Sequence, residues 1–133
     1  MDIQQKADFA VQYKQQHGVN CCQAVVRALA DEVELSEEQL LNIGSQFGLG
    51  MGNMEATCGA LIGAGIIAGL ATNGDRTKAR QMNETFKQMC GAITCEDLKG
   101  RFTGKVLCPC NDCVRNAVLA YYKVMNGDND WTS

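Results

Sequence analysis

Cysteine is the residue type most able to do chemistry in this chain, and its number is high. Eight cysteines occur among 133 residues and fall into four groups: Cys21 and Cys22; Cys58; Cys90 and Cys95; Cys108, Cys110 and Cys113. A chain of this length can close a hydrophobic core without disulfide staples, so the cysteines are not obviously structural. In a reducing compartment such an excess indicates redox chemistry or metal binding.

Three of the cysteines stand at the starts of predicted helices. Cys21 follows the capping residue Asn20, and Cys95 follows Thr94. Cys110 stands just before Asn111 and Asp112, at the start of the last predicted helix. Free N–H groups in a first helical turn stabilise a thiolate. A nucleophilic thiol and a metal–thiolate site both need the deprotonated sulfur, so this placement favours either chemistry.

Two other cysteines have different settings. Cys58 is expected about one turn into a central helix, beside Gly59, where a small neighbour lets a partner sulfur or a cluster come near. Cys90 falls on the apolar face of an amphipathic helix. Free cysteine behaves there as a small hydrophobe, so packing is the favoured role of Cys90.

The Cys-x-x-Cys motif at Cys110 and Cys113 has two interpretations, and the cysteines of separate helices allow a third. It can form a thioredoxin-style dithiol, although the βαβ context expected for that motif is missing. As half of a zinc site it needs further thiols, which Cys108 or the Cys21–Cys22 pair can supply only through the tertiary fold. Four thiolates from four separate helices can equally hold an iron–sulfur cluster.

Other functional classes have little support in the sequence. His17 is the single histidine and is expected to face solvent at the end of the first helix rather than to serve as a base. The glycines at 48, 50 and 52 follow a helix and lack a Gly-Lys-Ser/Thr continuation, so they do not indicate a phosphate loop. With 12 basic and 15 acidic residues and no basic stripe, the chain is not expected to bind nucleic acid.

Helices must position these cysteines. Only one proline occurs, Pro109, and helix-forming residues recur at helical spacing, which predicts an all-α bundle of about five main helices and no sheet. Helical patterns cover residues 2–16, 21–33, 36–47, 54–71, 76–89 and 111–125, with a short helical turn after Thr94. Ser36 and Gln39 form a capping-box pattern.

The Gly/Ala-rich segment 54–71 is the predicted central helix. Its uninterrupted apolar part falls short of the roughly 20 residues that a bilayer requires, so a buried core helix is favoured over a membrane span. Its Gly-x-x-x-Gly spacings let neighbouring backbones approach closely, and in membranes they mark dimer faces.

The chain is expected to be one domain over residues 1–133, because it has no linker, repeat or low-complexity tract. Its tail, residues 126–133, is expected to fray. The N-terminus has neither the basic start nor the apolar core of a secretory signal, which predicts a cytoplasmic location.

Four stretches carry a family resemblance: residues 20–25 (NCCQAV), 48–52 (GLGMG), 57–63 (TCGALIG) and 94–98 (TCEDL), followed by the cysteine-rich start of the last helix. Together they resemble the redox-active proteins named for their C_GCAxxG_C_C pattern, over nearly the whole chain. The resemblance implies a redox role and gives neither a substrate nor a reaction.

Carried over by position, the resemblance makes Cys21, Cys58 and Cys95 the first three functional cysteines. It makes Cys110 the fourth, because Cys110 stands four residues before Val114 and seven before Ala117, with Cys113 as a possible substitute one helical turn away. The additional cysteines, outside the four-cysteine pattern, are Cys22, Cys90, Cys108 and Cys113.

Three functional hypotheses follow. In the first, Cys21, Cys58, Cys95 and Cys110 converge near one end of the bundle and cycle between dithiol and disulfide, as in a thiol–disulfide oxidoreductase or an electron-transfer protein. In the second, the same sulfurs, with Cys113 or Cys22 as substitutes, bind an iron–sulfur cluster or zinc. The third is a non-catalytic helical interaction module that forms a homodimer through the central helix.

Other expected partners are a redox partner protein and a membrane transporter with which the chain associates without spanning the bilayer.

Overall fold

The chain folds into seven α-helices, and no β-sheet occurs in residues 1–127, the part that the computed structural model describes. The helices are α1 (Ile3–His17), α2 (Cys21–Ala28), α3 (Glu37–Gly44), α4 (Gly59–Ala71), α5 (Thr77–Cys90), α6 (Cys95–Lys99) and α7 (Cys110–Met125). The all-α prediction is confirmed. Of the tail expected to fray, residues 128–133 lie outside the described residues.

Capping residues start the first three helices. Asn20 accepts a hydrogen bond from the backbone N–H of Gln23 (2.8 Å), and the Gln23 side chain accepts one from the backbone N–H of Asn20 (3.0 Å). Ser36 and Gln39 form the same reciprocal pair at α3, as the sequence predicts. Such caps satisfy N–H groups that have no partner inside the helix. The cap at Asn20 fixes Cys21 as the first residue of α2.

The central helix begins at Gly59, five residues later than predicted. The preceding loop turns through residues with positive φ, including Leu49 (52°) and Met54 (68°), which a helix does not allow. After the loop, the backbone N–H of Cys58 donates to the carbonyl of Ile93 (2.7 Å). This contact accompanies a non-helical backbone at Cys58 (φ −52°, ψ 129°). The prediction that Cys58 lies one turn inside the helix is therefore wrong: it is the residue before the first turn.

Two other predicted helices are shorter in the structure. α2 ends at Ala28 and is followed by a 3₁₀ turn at Ala30–Glu32, whereas helical spacing continues to residue 33. α3 ends at Gly44 instead of residue 47. In both places the chain turns toward the next helix before the apolar spacing ends.

The helix α4 is buried at the centre of the bundle, as predicted, and packs against α2, α5 and α7. A Cβ at Gly63 would lie 3.0 Å from the carbonyl oxygen of Cys22, so the glycine at this position allows α4 to pack closely against α2. Gly65 and Gly69 have no such neighbour within 4 Å. Dimerisation through this helix stays a prediction.

None of the helices in residues 1–127 combines the length and the apolar composition that crossing a bilayer requires.

Candidate functional site

Four helix N-termini meet at one cavity of about 200 Å³. The four cysteines predicted as functional all line it: Cys21, Cys95 and Cys110 are the first residues of α2, α6 and α7, and Cys58 immediately precedes α4. Cys113, one turn into α7, also lines the cavity. Because free N–H groups give a helix N-terminus a partial positive charge, this arrangement favours thiolates in the cavity.

Two glycines allow the backbone to close around these sulfurs. Gly50 has a left-handed backbone (φ 56°), and a Cβ there would lie 2.8 Å from the Cβ of Cys95. A Cβ on Gly59 would lie 2.3 Å from the backbone carbonyl oxygen of Phe47. Side chains at either position would push the loop away from the helix starts that carry Cys58 and Cys95.

Cys21 and Cys110 form the first thiol pair of the cavity. Their side chains are in hydrogen-bonding contact, and the ammonium of Lys99 also donates to the sulfur of Cys110. The Cys21 thiol and then the Lys99 ammonium lower the pKa of Cys110 to about 5, although burial opposes the shift. The same contact and burial raise the pKa of Cys21. The pair therefore consists of a thiolate on Cys110 and a thiol on Cys21.

Cys58 and Cys113 form a second pair of the same kind. The Cys113 thiol lowers the pKa of Cys58, and so do the backbone N–H groups of Ala60 and Leu61 in the first turn of α4, against the effect of burial. The pKa of Cys113 is raised, chiefly by its side-chain contacts with Cys58 and Cys90. The N–H groups of a helix start therefore favour a thiolate on Cys58 even though this residue stands just outside the helix.

Cys95 and Cys22 have no thiolate character. Burial raises the pKa of Cys95, although the nearby Lys99 ammonium opposes this, so Cys95 lines the cavity as a neutral thiol. Cys22 belongs to the hydrophobic core and does not line the cavity, and burial raises its pKa to about 12. His17 is exposed and stacks on Tyr13 with 4.2 Å between ring centroids, so it lies outside the site, in agreement with the sequence.

A further group of sulfurs, which sequence reasoning did not identify, lies behind the cavity. The sulfurs of Cys90, Cys108 and Cys113 all lie within 4.8 Å of one another, and all three side chains are buried. Cys90 is buried on an apolar helix face, as predicted, but packing alone does not describe it. One sequence feature could have indicated a role for Cys90 beyond packing. Cys90 is the last residue of α5, beside Gly91, whose left-handed backbone ends the helix.

This buried group also bears on the metal hypothesis. In residues 1–127 it is the one set of three cysteine sulfurs close enough to share a single ion. The predicted four, Cys21, Cys58, Cys95 and Cys110, do not supply such a set, so in this arrangement they do not fit a single zinc ion. An iron–sulfur cluster on those four sulfurs stays a prediction, which iron analysis of protein purified without oxygen would test.

The Lys99 contact leads to a testable pH dependence. Alkylation requires the thiolate, so its rate at Cys110 should rise as the pH passes through about 5 and then level off. In Lys99→Met the thiolate loses its ammonium partner, and we expect the midpoint to move upward by about 1 pH unit or more. The measurement is the alkylation rate of Cys110 from about pH 4 to about pH 8, on either side of that midpoint, followed by peptide mass spectrometry.

Lys87→Met is the matched control, because Lys87 is an exposed lysine on α5 and does not line the cavity. Its Cys110 profile should coincide with that of the unmodified chain. An unchanged profile in Lys99→Met would show that Lys99 does not stabilise the Cys110 thiolate.

Comparison with known proteins agrees with the cysteine geometry. The family model described as "Putative redox-active protein (C_GCAxxG_C_C)" matches residues 19–124, a segment that includes all eight cysteines. The chain matches no curated protein and no solved structure. Since the match covers most of the chain and spans every helix that contributes a sulfur to the cavity, the chain belongs to the C_GCAxxG_C_C family.

Proposed function

We propose that the protein carries out thiol–disulfide exchange, with Cys110 as the attacking sulfur and Cys21 as the resolving sulfur. The observation that carries this proposal is the contact between the two side chains in a cavity where Lys99 donates to Cys110. A dithiol of this type needs one sulfur held as a thiolate and a second within reach of it. The substrate class is a disulfide, on a small molecule or on a partner protein.

The reaction proceeds in two displacement steps. The Cys110 thiolate attacks one sulfur of the substrate disulfide, which forms a mixed disulfide and releases the first substrate thiolate. Cys21 then loses its proton to solvent and attacks the Cys110 sulfur. The second substrate thiolate leaves as the Cys21–Cys110 disulfide forms. Two electrons pass from the protein dithiol to the substrate, and both released thiolates take up protons according to their pKa.

The charges around the pair affect how strongly the Cys21–Cys110 disulfide would oxidise a substrate. Lys99 and the helix α7 N-terminus stabilise the thiolate of Cys110, which exists only in the reduced pair. A contact that stabilises the reduced form makes the corresponding disulfide a stronger oxidant. A disulfide of Cys21 and Cys110 would therefore also accept electrons readily from a substrate dithiol, by the reverse of the two steps.

The other cavity cysteines extend the same function. The pKa of Cys58 is lowered and that of its partner Cys113 is raised, so this pair can form a second disulfide by the same two steps. Burial chiefly raises the pKa of Cys95, and the nearby Cys58 and Cys110 raise it further. We assign it to the cavity as a neutral thiol that does not compete for the substrate.

Redox equilibration tests the proposal. The reduced chain is equilibrated with mixtures of oxidised and reduced glutathione without oxygen, free thiols are blocked at low pH, and disulfides are mapped by mass spectrometry. We expect the Cys21–Cys110 disulfide to form as a defined species, with the loss of the free thiols of these two residues. Its fraction should depend on the glutathione ratio as a two-electron couple requires.

Cys22→Ala provides the control, because it removes the thiol next to Cys21 from outside the cavity. Its Cys21–Cys110 equilibrium should match that of the unmodified chain. Scrambled disulfides with no preference for Cys21 and Cys110, or no disulfide at any glutathione ratio, would contradict the proposal.

A further inference from the structure

We propose that Cys90, Cys108 and Cys113 form a binding site for one Cu(I) ion, distinct from the Cys21–Cys110 exchange pair. Their sulfurs lie within 4.8 Å of one another, which is close enough for a single ion to bind all three after small side-chain movements. Thiolates are soft ligands and select soft metal ions. The site does not depend on the proposed exchange reaction.

Three separate parts of the fold bring these sulfurs together. Cys90 is the last residue of α5, Cys108 lies in the loop before α7, and Cys113 is in the first turn of α7. The backbone N–H of Cys113 donates to the carbonyl of Pro109 (2.9 Å), and the loop N–H of Cys108 donates to the carbonyl of Leu98 (3.2 Å). The ligand positions are therefore fixed by the backbone as well as by packing.

The surroundings of the three sulfurs suit a buried thiolate site. The side-chain amide of Asn116 donates to Cys90 (3.3 Å) and lies 4.0 Å from the sulfur of Cys108. Metal ligands are commonly held by such outer hydrogen bonds, which orient them and offset their charge. Asn116 follows Cys113 by one helical turn on α7, so it reaches the sulfurs from the same helix face.

The number of ligands favours Cu(I) over zinc. Structural zinc is almost always four-coordinate, and no further sulfur, imidazole or carboxylate in residues 1–127 lies within 4.8 Å of all three sulfurs: Cys58 contacts Cys113 alone among them. Asp112 is an acidic residue near enough to influence Cys90 and Cys108, but it pairs with Arg115 (3.6 Å) and is absent from the group. Three buried cysteine sulfurs, which lose their protons when they bind a metal, match a soft monovalent ion that accepts three-coordinate sulfur sites.

Metal binding here has a consequence for the cavity, because Cys113 belongs to both groups. A metal ion on Cys113 would remove the proton donor from Cys58 and occupy the second thiol pair. The Cys21–Cys110 pair shares no residue with the metal site. Copper loading and exchange through Cys110 can therefore be measured separately.

Anaerobic titration of the reduced chain with Cu(I), in competition with a chromogenic Cu(I) chelator, tests the site. We expect one tightly bound ion per chain and a sulfur-to-copper charge-transfer band. Cys90→Ser and Cys108→Ser should each weaken binding by more than the roughly 10–100-fold that loss of an outer-shell partner causes, and Asn116→Ala should weaken it by about that amount. A parallel titration with Zn²⁺ should show weaker binding than Cu(I).

Two further variants and one protection measurement complete the test. Cys22→Ala and the double variant Cys21→Ser/Cys110→Ser should bind copper as the unmodified chain does, because neither alters a ligand. Bound copper should protect Cys90, Cys108 and Cys113 from alkylation while Cys110 remains reactive, which also tests the site if a serine variant fails to fold. Loss of copper in the double variant, unchanged affinity in folded Cys90→Ser and Cys108→Ser, or preference for Zn²⁺ would overturn the proposal.

Discussion

Replacement of Cys110 by serine is expected to lower the rate of disulfide exchange by at least about a hundredfold. A serine hydroxyl is not ionised at neutral pH, so the group that Lys99 and Cys21 stabilise as a thiolate would be lost. The assay follows thiolate released from a small aromatic disulfide whose product absorbs visible light. Peptide mapping assigns the reacting cysteine.

Replacement of Cys21 by serine should have a different effect. Cys110 keeps Lys99 and can still attack, but no neighbouring thiol resolves the mixed disulfide. We expect one thiolate to be released per chain at this pair instead of two, and a substrate adduct to accumulate on Cys110. Because the pKa of Cys58 is also lowered and its thiol could react, the assay is performed in a Cys58→Ala background for every variant.

Cys22→Ala in the same background is the matched control, since it removes a thiol from the adjacent position of α2 without altering the cavity. It should retain the rate and the two released thiolates. Exchange by Cys110→Ser at the unmodified rate would show that another cysteine is the nucleophile, and full resolution by Cys21→Ser would show that Cys21 is not the resolving residue.

The helix start that carries Cys21 could be predicted because its capping residues lie beside it in the sequence. Thr94, expected to cap the helix of Cys95 in the same way, makes no side-chain capping bond, and its buried hydroxyl has no partner among the described residues. Asn20 and Gln23 are three residues apart, and their reciprocal hydrogen bonds require nothing from the rest of the chain. The position of Cys58 could not be predicted in this way. The bond between its N–H and the carbonyl of Ile93 joins residues far apart in sequence and keeps Cys58 out of the helix that its neighbours favour.

The choice between Cys110 and Cys113 as the fourth cysteine shows a second limit of sequence reasoning. The two residues are three apart on α7, so both face the cavity. They contact different sulfurs, Cys110 that of Cys21 and Cys113 that of Cys58. Spacing can place two cysteines on one helix face, but their partners depend on how α2 and α4 pack against α7.

The buried group of Cys90, Cys108 and Cys113 could not be predicted from local sequence patterns for the same reason. Cys90 and Cys108 are far apart in sequence, and they meet because α5 packs against α7 and the intervening loop folds back on Leu98. Apolar spacing correctly predicted that Cys90 is buried. It carried no information on which side chains surround the sulfur.

A glycine substitution next to Cys58 should have the largest effect on stability. We expect Gly59→Ala to lower the free energy of unfolding by about 1–3 kcal/mol, as overpacking typically does. The added Cβ would lie 2.3 Å from the backbone oxygen of Phe47, and a backbone atom cannot rotate away as a side chain can. Urea unfolding of the reduced protein measures the change.

Gly65→Ala is the matched control within the same helix. A Cβ at Gly65 would meet no other part of the chain within 4 Å, so the substitution should raise the free energy of unfolding by about 0.5–1 kcal/mol through the helix propensity of alanine. The two substitutions add the same methyl group to α4 and should shift stability in opposite directions. Equal effects would show that α4 does not approach the Phe47 backbone as closely as described. A destabilised Gly59→Ala should also alkylate faster at Cys58, because movement of the α4 start away from Phe47 would open the cavity at that sulfur.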